Sequence, residues 1–130
     1  ELPAIFAIAA KFPEQPLVIG GDFNTSHPGQ RIELGALRKK TRDRIAAQQN
    51  ELPRDVIRRM LEHGYVDAHA LHHAAEAFGR SFTTAHPAMR VDFLFVTPDL
   101  SPRVVSCEVF KPDLATYASD HYPVVGELDV

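Results

Sequence analysis

The chain of 130 residues contains a single cysteine, Cys107, and no tryptophan. One sulfur excludes an internal disulfide and a thiolate zinc cluster. Cys107 stands in Val104-Val105-Ser106-Cys107-Glu108-Val109, which reads as a buried structural thiol with no neighbouring base to activate it. No apolar run approaches the roughly 20 residues that span a bilayer, so no transmembrane segment is expected. Residues 2–10 are apolar, but no basic leader precedes them and Lys11 follows at once, which excludes a secretory signal there. The chain starts at Glu1 without an initiator methionine. The expectation is a segment truncated at its N-terminus, cytoplasmic by default, with any secretion signal belonging to the part upstream. Net charge is also scarce, at −3, which argues against binding nucleic acid through one broad basic surface. Repeats, low-complexity tracts and linkers are lacking as well.

What remains is an ordinary globular balance of 45% hydrophobic and 24% charged residues, in a length suited to one domain, residues 1–130. Residues 2–12 predict a short helix, with Pro3 tolerated in its first turn. Leu17-Val18-Ile19 predicts a buried strand running into Gly20-Gly21, followed by a loop over residues 22–29. Residues 30–50 predict a charged helix with an incomplete apolar stripe. Val56, Ile57, Met60 and Leu61 predict a second one after Pro53, capped by Gly64. A His-rich helical stretch is expected from Ala68 to about Gly79. Strands are expected over residues 81–84, 90–96, 104–110 and 122–128, with proline and aspartate turns between them. Helices early and paired strands late give an α/β or α+β fold.

Three segments place polar side chains where a strand meets a loop. In Gly20-Gly21-Asp22-Phe23-Asn24, extended backbone would turn Asp22 and Asn24 to one face and Phe23 inward. An acid beside an amide suits a site that holds a water and an anionic oxygen together. The bland alternative is an Asx turn that ends the strand. In Arg90-Val91-Asp92-Phe93-Leu94-Phe95-Val96 a carboxylate interrupts an apolar strand. Burying it unpaired costs on the order of several kcal/mol, so a specific donor is required. A histidine is one candidate, and Arg90 on the same strand face is the other. In Ser119-Asp120-His121-Tyr122-Pro123, Asp120 is a hard oxygen ligand for Mg²⁺ or Mn²⁺ and His121 a candidate general acid or base.

In order and content, Gly21-Asp22-Phe23-Asn24, Arg90-Val91-Asp92-Phe93 and Ser119-Asp120-His121-Tyr122-Pro123 resemble the endonuclease/exonuclease/phosphatase family of phosphoesterases. The Gly64-Tyr65-Val66-Asp67-Ala68 step and the Ser81-Phe82-Thr83 segment between them fit the same likeness. The resemblance implies the C-terminal half of a four-layer αββα sandwich, mostly antiparallel sheet flanked by helices. It implies hydrolysis of a phosphate ester by activated water with Mg²⁺ or Mn²⁺ bound. The substrate class stays open between nucleic acid, a phospholipid head group and a small phosphoester. Asp120 would hold the metal, His121 would sit against the scissile phosphate, and Asp92 would fix His121. Asp22 would position or deprotonate water and Asn24 would donate to a phosphate oxygen, with the general base left between Asp22 and His121. The family's first half, a missing partner here, supplies a metal-binding Glu and an Asn. The segment alone is therefore expected to be weakly active or inactive, with one sheet face uncovered. The alternative is a catalytically inactive binding module on the same fold.

Two further features draw a bland reading. His63, His69, His72 and His73 lack the glutamate that follows the first His of a zinc-protease helix, and read as a solvated helix surface. The basic stretch from Arg31 to Arg44 would attract phosphate-rich ligands, but Glu33 and Asp43 dilute it, and a solvated face is the expectation.

Overall fold

The computed structural model describes residues 2–49, 51–74 and 78–129. In chain order the elements are α1 (Leu2–Ala9), β1 (Val18–Asp22), α2 (Lys39–Ala47), α3 (Asp55–Glu62), β2 (Val66–Asp67), β3 (Asp92–Val96), β4 (Val104–Val109), α4 (Ala115–Ala118) and β5 (Val124–Leu128). Three antiparallel strands form one sheet in the order β1-β3-β2, and β4 and β5 form a second. Helices combined with antiparallel sheets match the expected fold class.

β3 organises the core because its alternate side chains face opposite ways. Phe93 and Phe95 are buried with Leu2 of α1 and with Ile57 and Met60 of α3. Leu94 and Val96 pack on the other side with Val104, Cys107, Val124 and Leu128 of the second sheet. α3 forms because Val56, Ile57, Met60 and Leu61 make one apolar stripe, and it stops at Gly64, whose φ of 87° favours a residue without Cβ. Cys107 is fully buried, and burial pushes its thiol up to about 11, the inert thiol expected.

Several elements differ from expectation. α1 ends at Ala9, and turns carry the chain on to Gln15. The helix expected over 30–50 is reduced to a single 3-10 turn, Leu34–Ala36, and α2. Gly35 and the sparse apolar stripe disfavour a continuous helix in the first part, although Ile32 and Leu37 still pack into the core. The His-rich stretch holds only a 3-10 turn, His69–Leu71, and residues 75–77 of that expectation lie outside the described residues. Residues 81–84 make isolated bridges at Phe82, to Met89 and to His121, rather than a strand. Outward-facing Val105 and Val125 leave apolar surface on the second sheet, and Leu114 and Tyr117 do so on α4.

Among the described residues no helix is long and apolar enough to cross a membrane.

Candidate active site

Asp22 and Asp92 are cross-strand partners, ending β1 and beginning β3. They therefore meet at one end of the first sheet. The segment before β5 brings His121 to the same place, with Nδ1 lying 2.9 and 3.2 Å from the two Asp92 carboxylate oxygens. Asp92 also accepts a hydrogen bond of 2.6 Å from Ser81 Oγ. The donor that a half-buried carboxylate requires is thus histidine plus serine. Arg90 takes no part, because its guanidinium turns the other way and pairs with Asp67.

The 81–84 segment fixes His121 from behind. Ser81 carbonyl accepts the Tyr122 N–H at 2.8 Å, and Thr84 Oγ1 donates to the Ser119 carbonyl at 2.9 Å. The Phe82 ring packs against the imidazole with centroids 4.8 Å apart. With Nδ1 held by Asp92, Nε2 is the nitrogen left to face outward, 4.0 Å from Asp120 Oδ1. Burial pushes His121 toward the neutral form. The Asp92 hydrogen bond and the charges of Asp92, Asp22 and Asp120 outweigh it and raise the pKa above 6.5.

Asp22 Oδ1 accepts the Asn24 N–H at 2.8 Å, and Asn24 has φ of 54°. The strand therefore ends in an Asx turn instead of continuing extended, which corrects the expected shared strand face of Asp22 and Asn24. Phe23 does point inward, edge-on to Phe93 and Phe95. Both polar residues still reach the site. Asp22, Asp92 and His121 each offer an atom within 4.8 Å of the others, while Asn24 lines a cavity of 290 Å³ together with Asp120 and His121.

Asp120 is the most open of the group, its side chain 63% exposed with Arg38 Nη1 3.6 Å away. A solvent-facing carboxylate held only loosely, by Arg38 and by His121 Nε2, is chemically suited to a hard dication. It is one carboxylate, however, and the three donors that converge beside it are those of Asp22, Asp92 and His121.

Sequence reasoning missed three contributors. Ser81 lay within the Ser81-Phe82-Thr83 segment of the likeness, but directly after Gly79-Arg80 nothing marked its hydroxyl as a second donor to Asp92. The Arg90–Asp67 pair, with distances of 3.0 and 2.5 Å, is sealed beneath the site, and the Arg90 N–H donates to Gln30 Oε1. The third is the basic stretch. Lys39 pairs with Asp43 and Arg42 with the Gly35 carbonyl, but Arg38, Lys40 and Arg44 line the cavity that contains His121. That half of the stretch is not the merely solvated face expected. The His-rich reading also changes: His69 is 1% exposed, and burial followed by the Arg90 charge lowers its pKa to about 4. Among the described residues of this stretch there is no surface α-helix, and the His69 backbone N–H donates to Asp67 Oδ1.

The sequence pattern of the Endonuclease/Exonuclease/phosphatase family matches residues 4–121. Among solved structures, the chain is similar to a 3' phosphatase, NExo, from Neisseria bound to a product DNA hairpin, at 21% identity and a TM-score of 0.64. The match covers 95% of this chain and 49% of that one, so the chain spans about half the length of that structure. No curated protein matches the chain.

Proposed function

Because the chain belongs to the Endonuclease/Exonuclease/phosphatase family, a group of phosphoester hydrolases, we propose that it contributes the His121 side of a metal-dependent phosphoesterase site. The observation that carries this reading is the Asp92–His121 pair with Asp22 beside it, at the mouth of a cavity lined by Arg38, Lys40 and Arg44. Asp92 accepts the Nδ1 proton and locks the ring, so that Nε2 presents its proton to a non-bridging phosphate oxygen. The raised pKa favours the protonated form of His121, which is suited to neutralising charge rather than to taking a proton. Asp22 then orients the attacking water through its Oδ2, since Oδ1 is engaged by the Asn24 N–H. The Asn24 side-chain amide donates to a second phosphate oxygen.

Mg²⁺ or Mn²⁺, when bound, supplies Lewis-acid charge neutralisation. Asp120 would hold it, because an exposed aspartate is a hard ligand of the right class. The likeness of one carboxylate to a full site is incomplete, so a second ligand from outside this chain, or from substrate phosphate, belongs to the proposal.

Nucleic acid is the substrate class best supported among the three. Three cations along one wall of the cavity fit phosphates on either side of the scissile one, which a small monoester lacks. The similar structure from Neisseria is described as bound to DNA. The test is hydrolysis of an oligonucleotide and of a small phosphomonoester with Mg²⁺, Mn²⁺ or EDTA, in the longest native form of the protein. Chelator-sensitive turnover that prefers the oligonucleotide is the expected result. Turnover unaffected by EDTA would refute the metal requirement, and no turnover by that form on either ester would favour a binding module.

A further inference from the structure

Where the turn after β2 meets β4, a second set of donors converges. One nitrogen from each of His69 and His73 and one Glu108 oxygen lie within 4.8 Å of one another. The two imidazoles stack with centroids 4.1 Å apart and planes 30° apart. His73 Nε2 lies 2.8 Å from Glu108 Oε1. His69 is buried, and its Nδ1 has no hydrogen-bond partner among the described residues. A buried polar nitrogen without a partner is costly, and a cation bound at that nitrogen would remove the cost.

The local structure holds this ring in place. The His69 backbone N–H donates to Asp67 Oδ1, and Asp67 is itself pinned by Arg90. Gly79 leaves the space beside it, because a Cβ there would stand 3.1 Å from His69 Nε2 and 2.4 Å from Val109 Cγ2. His72 does not join the cluster, as its Nε2 is engaged with the Val104 carbonyl. Two imidazoles and one carboxylate are borderline ligands that select Zn²⁺, Co²⁺, Ni²⁺ or Cu²⁺ over Mg²⁺ or Ca²⁺. Three protein ligands also match the number at which zinc keeps a water as its fourth.

We propose that His69, His73 and Glu108 form a binding site for one zinc-class dication that clips the 69–73 turn onto β4. It is separate from the phosphoester site, whose cavities include none of these three residues. A dication there joins His73 to a strand residue 35 positions away and stabilises the folded chain by mass action.

The test is calorimetric titration of untagged, metal-free protein with Zn²⁺, and with Co²⁺ read by visible absorption. Wild type is compared with His73→Ala, Glu108→Gln and His121→Ala, each checked for folding by circular dichroism. Wild type should bind one equivalent and melt at a higher temperature with Zn²⁺. His73→Ala and Glu108→Gln, both at solvent-accessible positions, should weaken binding by at least the roughly tenfold that even outer-shell losses cost. His121→Ala should leave it unchanged, and excess Mg²⁺ should not compete. The proposal is overturned if no Zn²⁺ or Co²⁺ binds, if binding survives undiminished in both cluster variants, or if it disappears in His121→Ala.

Discussion

Two ion pairs leave the same stretch of chain only two residues apart, and they differ in access to water. Arg90 and Asp67 have side chains 0% and 1% exposed, with the Phe93 ring 4.2 Å from the guanidinium. His121 and Asp92 are 27% and 16% exposed and open onto a cavity. The first pair is sealed inside the protein, its two terminal guanidinium nitrogens on Asp67, and has nothing to present to a ligand. The second engages one imidazole nitrogen and leaves the other outward. The same chemistry, a basic group on a carboxylate, is therefore sealed as a structural clamp in one place and left open to solvent in the other. Burial decides which.

The largest effect should come from the open pair. His121→Ala is expected to lower kcat/KM by about 10²–10⁴, while thermal melting shows the fold retained. The sealed pair should behave the opposite way. Arg90→Ala leaves Asp67 as an uncompensated buried charge and should cost about 3–5 kcal/mol in urea denaturation. The contrast breaks if Arg90→Ala melts like wild type, or if His121→Ala unfolds the chain.

A smaller effect concerns pH. His121 has a folded pKa raised above 6.5, so its pairing contributes stability that is full below about 6.5 and lost as pH rises through the folded value. In metal-free protein, NMR titration should find the His121 pKa above 6.5. Asp92→Asn should bring it down, because burial then acts with less opposition. An unchanged value in that variant would show that Asp92 does not set the proton. The smallest effects belong to the rim. Lys40→Ala and Arg44→Ala should each raise KM for an oligonucleotide with kcat held, and reduce the salt slope by about 1 per lost phosphate contact. Equal losses on a small monoester would contradict the assignment of these cations to flanking phosphates.

Much of this contrast was legible in the chain and part was not. The requirement for a donor to Asp92 follows from the cost of a carboxylate in an apolar strand, and His121 meets it from 29 residues away. The inward Phe23, the β3 core and the Gly64 stop follow from local patterns of two and three to four residues. The partner of Arg90 did not follow. Arg90 and Asp92 share a strand face by spacing, yet the guanidinium reaches Asp67 23 residues back, a choice made by tertiary packing. The donor role of the Ser81 hydroxyl was hidden for the same reason. The overlong helix at 30–50 shows the limit of charge patterning, since polar residues with helical spacing form a helix only where an apolar stripe has something to bury. Thr41 and Ile45 supply that for α2, whereas Ile32 and Leu37 before it reach the same cluster without a continuous helical stripe.

The most direct measurement is a double-mutant cycle on oligonucleotide hydrolysis with Mg²⁺, comparing wild type, Asp92→Asn, His121→Ala and the double variant. If Asp92 acts through His121, the double variant should be no slower than His121→Ala alone. Losses that multiply would contradict the account, because the two residues would then contribute independently.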